Sequence, residues 1–219
     1  MTAKIEKLVH IPVGEAYIEG MLELPSNAKG IVLFAHGSGS SRHSPRNNYV
    51  ASVLHASGIG TLLMDLLTPE EDIDYQTRFD IPLLTQRLLI ATSWVWEEAS
   101  TKNLPIGYFG ASTGAAAALQ AAASGEEIRA VVSRGGRPDL AGQRSLGHVA
   151  CPTLLLVGGW DDAVIEMNRE AYACMQCEKE LSIIPDATHL FEEPGTLEKV
   201  AHQATAWFVR YLKLPRKQD

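Results

Sequence analysis

A disulfide-stapled scaffold is excluded first: the 219-residue chain has only three cysteines, Cys151, Cys174 and Cys177, an odd and sparse set. No apolar run approaches the ~20 residues of a membrane-spanning helix, and Met1 to Leu8 alternates charged and apolar residues where a signal peptide would hold an apolar core. The expectation is a cytoplasmic protein that does not engage the membrane. A basic stripe with interleaved aromatics is also missing, and the formal charge of -7 is spread along the chain, which argues against nucleic acid as a partner. Cys174 and Cys177 form C-x-x-C within a helical stretch, Glu166 to Glu178, with no second pair to complete a zinc site. The acidic run Glu70-Glu71-Asp72-Ile73-Asp74 lacks the spacing of a Ca²⁺ loop and reads as solvated. With no internal repeat, linker or low-complexity segment, residues 1–219 read as one domain.

What is present has two rhythms. Lys4 to Val13 and Ala16 to Leu24 alternate around Gly14-Glu15 and read as an antiparallel hairpin. Beyond it, apolar runs at Gly30 to Ala35, Gly60 to Met64, Ile106 to Phe109, Ile128 to Ser133, Thr153 to Val157 and Glu180 to Ile184 alternate with helical patterns. Such alternation is the signature of right-handed βαβ crossovers and a mostly parallel sheet. The last helix puts Leu197, Val200, Ala201, Ala204, Trp207, Phe208 and Tyr211 on one face, with Pro194 expected in its first turn. A second helix, Pro82 to Ala99, aligns Leu84, Leu88, Ala91 and Val95, and its Trp94 and Trp96 are expected to pack rather than to stack on a ligand.

Gly110-Ala111-Ser112-Thr113-Gly114 matches G-x-S-x-G between a strand pattern and an alanine-rich helix. In that context the chain turns so tightly that a serine is held exposed at the helix N-terminus, where negative charge is favoured. Ser112 needs a base, and the base needs an orienting group. Asp161 follows the strand Thr153 to Val157 in V-G-G-W-D-D-A-V, and His189 follows the strand ending at Ile184 in D-A-T-H-L-F. Both lie in loops at the C-terminal edge of the sheet, where such loops converge. Asp162 is the competing acid. It reads as a solvated or helix-capping neighbour. The oxyanion donors are expected to be the Thr113 N–H and the Ser38 N–H, the latter in the loop Phe34-Ala35-His36-Gly37-Ser38-Gly39, with His36 a shaping residue. A phosphate-binding loop would need the lysine of G-x-x-x-x-G-K-[ST], which is missing.

Taken together, strand-H-G-S-G, strand-G-A-S-T-G, V-G-G-W-D-D-A-V and D-A-T-H-L-F resemble the α/β-hydrolase superfamily over nearly the whole chain. The N-terminal hairpin, the lack of a cap insertion and the segments S-S-R-H-S-P-R-N and V-I-E-M-N-R-E resemble its dienelactone hydrolase-like group, including hydrolase domains that can occur joined to phosphoribosyltransferases. Dienelactone hydrolase proper uses a cysteine nucleophile, whereas this elbow carries Ser112. The resemblance implies an α/β fold with a mostly parallel sheet, an N-terminal antiparallel hairpin, helices on both faces and no cap domain. It also implies a Ser112-Asp161-His189 triad cleaving a small ester, thioester or lactone, with no cofactor. Arg42, Arg134 and Arg137 flank the expected crevice, where they either bind an anionic substrate group, or pair with local acids such as Asp139 or stay solvated. Rival readings are a peptidase or acyltransferase on the same triad, or a non-catalytic binding protein of the same fold.

Overall fold

A computed structural model describes residues 4–213, so the reading of Met1 to Leu8 falls partly outside the described residues. Within them β1 (Ile5–Val13) and β2 (Ala16–Leu24) form the expected hairpin, with Val13 opposite Ala16. There follow β3 (Ile31–Ala35), α1 (Pro45–Ala56), β4 (Gly60–Met64), α2 (Ile81–Glu97), β5 (Ile106–Ala111) and α3 (Thr113–Ala122). The second half holds β6 (Ile128–Arg134), α4 (Gln143–His148), β7 (Thr153–Gly158), α5 (Asp162–Cys174), β8 (Lys179–Ile184) and α6 (Thr196–Tyr211). The eight strands form one sheet in the order β1-β2-β4-β3-β5-β6-β7-β8. β2 runs antiparallel to β1 and to β4, and the other neighbours are parallel.

Helices cover both faces, which is why β3, β4, β5 and β7 are buried at every residue and read as continuous apolar runs. On one face α1 and α6 bring Val50, Leu54, Val200, Ala204 and Phe208 against Val32, Phe34, Phe109 and Val132. On the other, Leu84 and Leu88 of α2 and Ala116 and Leu119 of α3 close over Leu33, Tyr108 and Val131, and Trp94 and Trp96 pack against that core as expected. Full burial of each large apolar side chain stabilises the fold by roughly 1.5–3 kcal/mol. Local signals start the helices: the Ser44 side chain accepts from the Asn47 N–H at the head of α1, and Asp80 accepts from the Leu83 N–H at the head of α2.

Some details differ from expectation. Gly195 is the N-cap of α6, so Pro194 lies just outside the first turn. α5 ends at Cys174, leaving Cys177 beyond the helix, and all three thiols are free. The acidic run is less solvated than its composition suggests, because Glu71 pairs with Arg87 and Asp72 with Arg78. No described helix is long and apolar enough to cross a membrane.

Candidate active site

The sheet reverses direction of growth at β3, which has β4 on one side and β5 on the other. A crevice opens at the C-terminal ends of strands flanking such a switch point. The loop after β3 and the elbow after β5 therefore face each other: a Cβ built on Gly37 would lie 3.1 Å from the Ser112 Cβ. β5 runs to Ala111, two residues past the expected end, and Ser112 turns the chain with φ +50° and ψ -119°. That conformation costs a non-glycine residue on the order of 1–3 kcal/mol. Both motif glycines make the turn feasible. A Cβ on Gly110 would sit 2.4 Å from the Ala115 Cα, and one on Gly114 would sit 2.1 Å from the Ala35 carbonyl oxygen.

Asp161 and His189 meet: His189 Nδ1 and Asp161 Oδ2 are 2.7 Å apart. A carboxylate only accepts, so Nδ1 is the donor of this bond, and in the neutral form of the ring that tautomer leaves the Nε2 lone pair free. Asp161 occupies the N-cap position of α5 without capping it through its side chain, while Asp162 is the exposed first helical residue. The two loops are tied together by the Gly159 N–H to the Ile184 carbonyl at 2.8 Å and the Trp160 N–H to the Ala187 carbonyl at 2.9 Å. The His189 ring lies over Gly135, with Cε1 3.4 Å from a Cβ placed there. Gly135 follows Arg134, the ladder partner of Ala111, and the Ser112 N–H donates to the Arg134 carbonyl at 3.2 Å. The ring and Ser112 thus border the same strand end. Two features stiffen the histidine loop: Phe191, 2% exposed, is held at φ +56°, and the Thr188 N–H and hydroxyl both donate to Glu193. Those bonds hold the Glu193 carboxyl below its ordinary range.

The expected oxyanion donors sit at the crevice, with one difference. Thr113 opens α3, so its N–H has no acceptor within the helix. The Ser38 N–H, expected as the second donor, is engaged by Thr113 Oγ1, to which it donates at 2.9 Å. The His36 ring is fixed between two backbone groups. Its Nδ1 donates to the Gly37 carbonyl at 2.9 Å, its Nε2 accepts from the Leu66 N–H at 3.1 Å, and burial lowers its pKa, which keeps the ring neutral.

The three arginines separate. Arg42 is held by both Asp65 and Glu19, and Arg137 forks onto Asp139 at 2.9 and 2.7 Å, which raises its pKa. Both guanidinium groups are paired with carboxylates within the protein, although the buried Arg42 Nε has no partner. Among the described residues no carboxylate pairs with Arg134. Arg134 is 7% exposed, its Nε has no partner, and its Nη2 reaches only Asn47 Oδ1 at 3.4 Å. Burial, with Arg46 nearby, brings its pKa down to about 10.

Between β4 and α2 the sequence showed only a solvated acidic run, and the side chains around it were missed. Arg78, locked onto Asp72, reaches within 3.7 Å of a Cβ on Gly39 and lines a cavity with His36, Ser38, Leu67, Leu84 and Thr113. The same segment exposes Ile73, Tyr75 and Phe79, while Trp160 and Leu190 are exposed beside Asp161 and His189. Their signal was the presence of large apolar residues in otherwise polar loops.

Fold and geometry together define an α/β-hydrolase. A dienelactone hydrolase structure from Anabaena variabilis is 57% identical, with a TM-score of 0.92 over 95% of this chain and 99% of that one. The chain belongs to the dienelactone hydrolase-like group of the α/β-hydrolase superfamily. An esterase from Pyrococcus furiosus shares the fold at 18% identity, with a TM-score of 0.78 over 95% of this chain and 94% of that one. Two curated Mycobacterium tuberculosis proteins, provisionally named phosphoribosyl transferases, are 56% identical over 205 residues. The match covers 93% of this chain but only 46% of each of theirs. No family model matches the chain.

Proposed function

We propose that the chain is a serine hydrolase that cleaves a small ester, thioester or lactone through an acyl-enzyme. The observation that carries this reading is the 2.7 Å Asp161–His189 hydrogen bond at the sheet edge where Ser112 stands in a strained elbow. Ser112 attacks the carbonyl carbon as His189 Nε2 takes its proton. The same imidazolium returns a proton to the leaving group, and water then repeats the cycle on the acyl-enzyme. Asp161 fixes the tautomer and stabilises the imidazolium, and the Thr113 N–H meets the developing oxyanion. The reaction needs no cofactor, and we assign it to one cytoplasmic domain.

Of the three arginines, Arg134 is the one we retain for an anionic substrate group. A buried guanidinium without a carboxylate is unfavourable by several kcal/mol or so, and an incoming carboxylate or phosphate would relieve that cost. The transferase name of the Mycobacterium tuberculosis proteins is not carried over, because it belongs to chains of which less than half is matched. A fluorophosphonate probe tests the core of the reading: it should label Ser112, and Ser112→Ala should abolish labelling and ester turnover together. Labelling at another serine would overturn the assignment.

A further inference from the structure

The bond from the Ser38 N–H to Thr113 Oγ1 spans 75 residues and joins the two sides of the crevice. It uses up the donor that the loop after β3 would otherwise aim at the substrate. It does not use up the Thr113 proton, because a hydroxyl that accepts one hydrogen bond still has an O–H to give. Threonine inside a helix commonly donates that proton to the carbonyl four residues earlier. Thr113 is the first residue of its helix, and the residues before Ser112 belong to β5. Among the described residues, no acceptor pairs with its O–H. The side chain is also shielded, since the residue is 2% exposed, and it adjoins the nucleophile.

We propose that the Thr113 hydroxyl is the second oxyanion donor, with the Ser38 N–H acting through it. The Ser38 N–H fixes and polarises Oγ1, and Thr113 donates its own proton to the substrate oxygen that becomes negative as Ser112 attacks. Thr113 then supplies both contacts, one from its backbone N–H and one from its side chain. No proton is transferred along this chain of bonds. The gain arises because a hydrogen bond from O–H to an oxyanion is about twice as strong as one to a neutral carbonyl, so it favours the transition state over the bound substrate. Linked hydrogen bonds in a dry site reinforce one another. The inference rests on the serine-hydrolase reading above. It adds a role for a side chain where that reading uses only backbone.

Thr113→Val and Thr113→Ser separate this role from packing. On a short aryl ester, Thr113→Val should lower kcat by about 10²-fold, the low end of losses for one oxyanion donor, with KM nearly unchanged. Thr113→Ser, which keeps the hydroxyl, should recover most of that loss. Affinity for a trifluoromethyl ketone, which forms a tetrahedral adduct with the nucleophile, should fall in Thr113→Val in step with kcat. If Thr113→Val matches or exceeds the original kcat, the hydroxyl only plugs the site, the Ser38 N–H is the direct donor, and the proposal fails. It also fails if Thr113→Ser is as slow as Thr113→Val. Turnover that survives Ser112→Ala is a different failure, because it removes the nucleophile reading itself.

Discussion

Replacing Asp161 by asparagine puts the weight of the proposed mechanism on one hydrogen bond. In the native protein the carboxylate accepts from His189 Nδ1 at 2.7 Å, with 17% of the Asp161 side chain and 37% of the His189 side chain exposed. During attack the imidazole becomes cationic. Opposite unit charges ~4 Å apart attract by about 4 kcal/mol at an effective dielectric of ~20. Solvent contact at this half-open site reduces that to roughly 2 kcal/mol. Asparagine also presents an amide N–H to Nδ1, which favours the tautomer with the proton on Nε2, the atom that must receive the serine proton. Restoring the competent tautomer forfeits that hydrogen bond, a further cost of about 2 kcal/mol. The sum of about 4 kcal/mol corresponds to roughly a 10³-fold loss at ~1.36 kcal/mol per decade. Steady-state kcat/KM on a short aryl ester measures the effect. Asp162→Asn is the control: the residue is exposed at the head of α5, and its loss should change kcat/KM by less than about threefold. An Asp161→Asn enzyme within tenfold of the original, or an Asp162→Asn enzyme that falls as far, would refute the assignment of the acid.

Removing Arg134 should erase a ten- to a hundredfold preference for an acidic ester over its neutral analogue, equivalent to about 1.5–3 kcal/mol, whereas Arg137→Ala should keep it. Equal rates for the two esters in the unmodified protein would count against an anion subsite. The connection from β6 to β7 holds only a 3₁₀ turn and the six-residue α4, so nothing there forms a lid over a long acyl chain. Short acyl esters should be the better substrates, and a steady rise of kcat/KM with chain length would contradict this. Ser112→Gly should be more stable than Ser112→Ala by about 1 kcal/mol, because only glycine relieves φ +50° at no steric cost. Thermal unfolding measures that difference, and equal midpoints would remove the claim of strain. Burial lowers the pKa of both His36 and His55 in the folded chain. Below about pH 6.5 the unfolded chain takes up protons that the folded chain resists, so stability present above that pH should fall as pH decreases, by up to ~1.4 kcal/mol per pH unit per histidine. A flat denaturation profile between pH 7 and 5 would contradict that sign, and His36→Gln should flatten the slope.

The order of strands and helices was legible because it depends on patterns within a few residues: continuous apolar runs for doubly covered strands, and a 3.6-residue repeat for α2 and α6. The elbow was legible for the same reason, since the two glycines and the serine act within five positions. Ends of elements were less so. Gly195 caps α6 and leaves Pro194 outside it, and α5 stops before Cys177, because capping geometry depends on how the chain enters and leaves the packed layer. Sequence placed Asp161 and Asp162 in one loop at the right edge of the sheet. Only the folded backbone set Asp161 within 2.7 Å of an imidazole 28 residues away. The arginines make the division plainest. The Arg137–Asp139 pair lies two residues apart and could be anticipated, but Arg42 finds Asp65 across 23 residues, and Arg134 is packed against Asn47 of α1 and Phe191 of the histidine loop with no carboxylate among its described partners. The Ser38–Thr113 bond is of the same kind. Local sequence determines which groups each loop offers. Which of them are satisfied depends on neighbours that only the closed sheet brings within reach, because hydrogen bonds and desolvation act over a few ångströms of space and not along the chain.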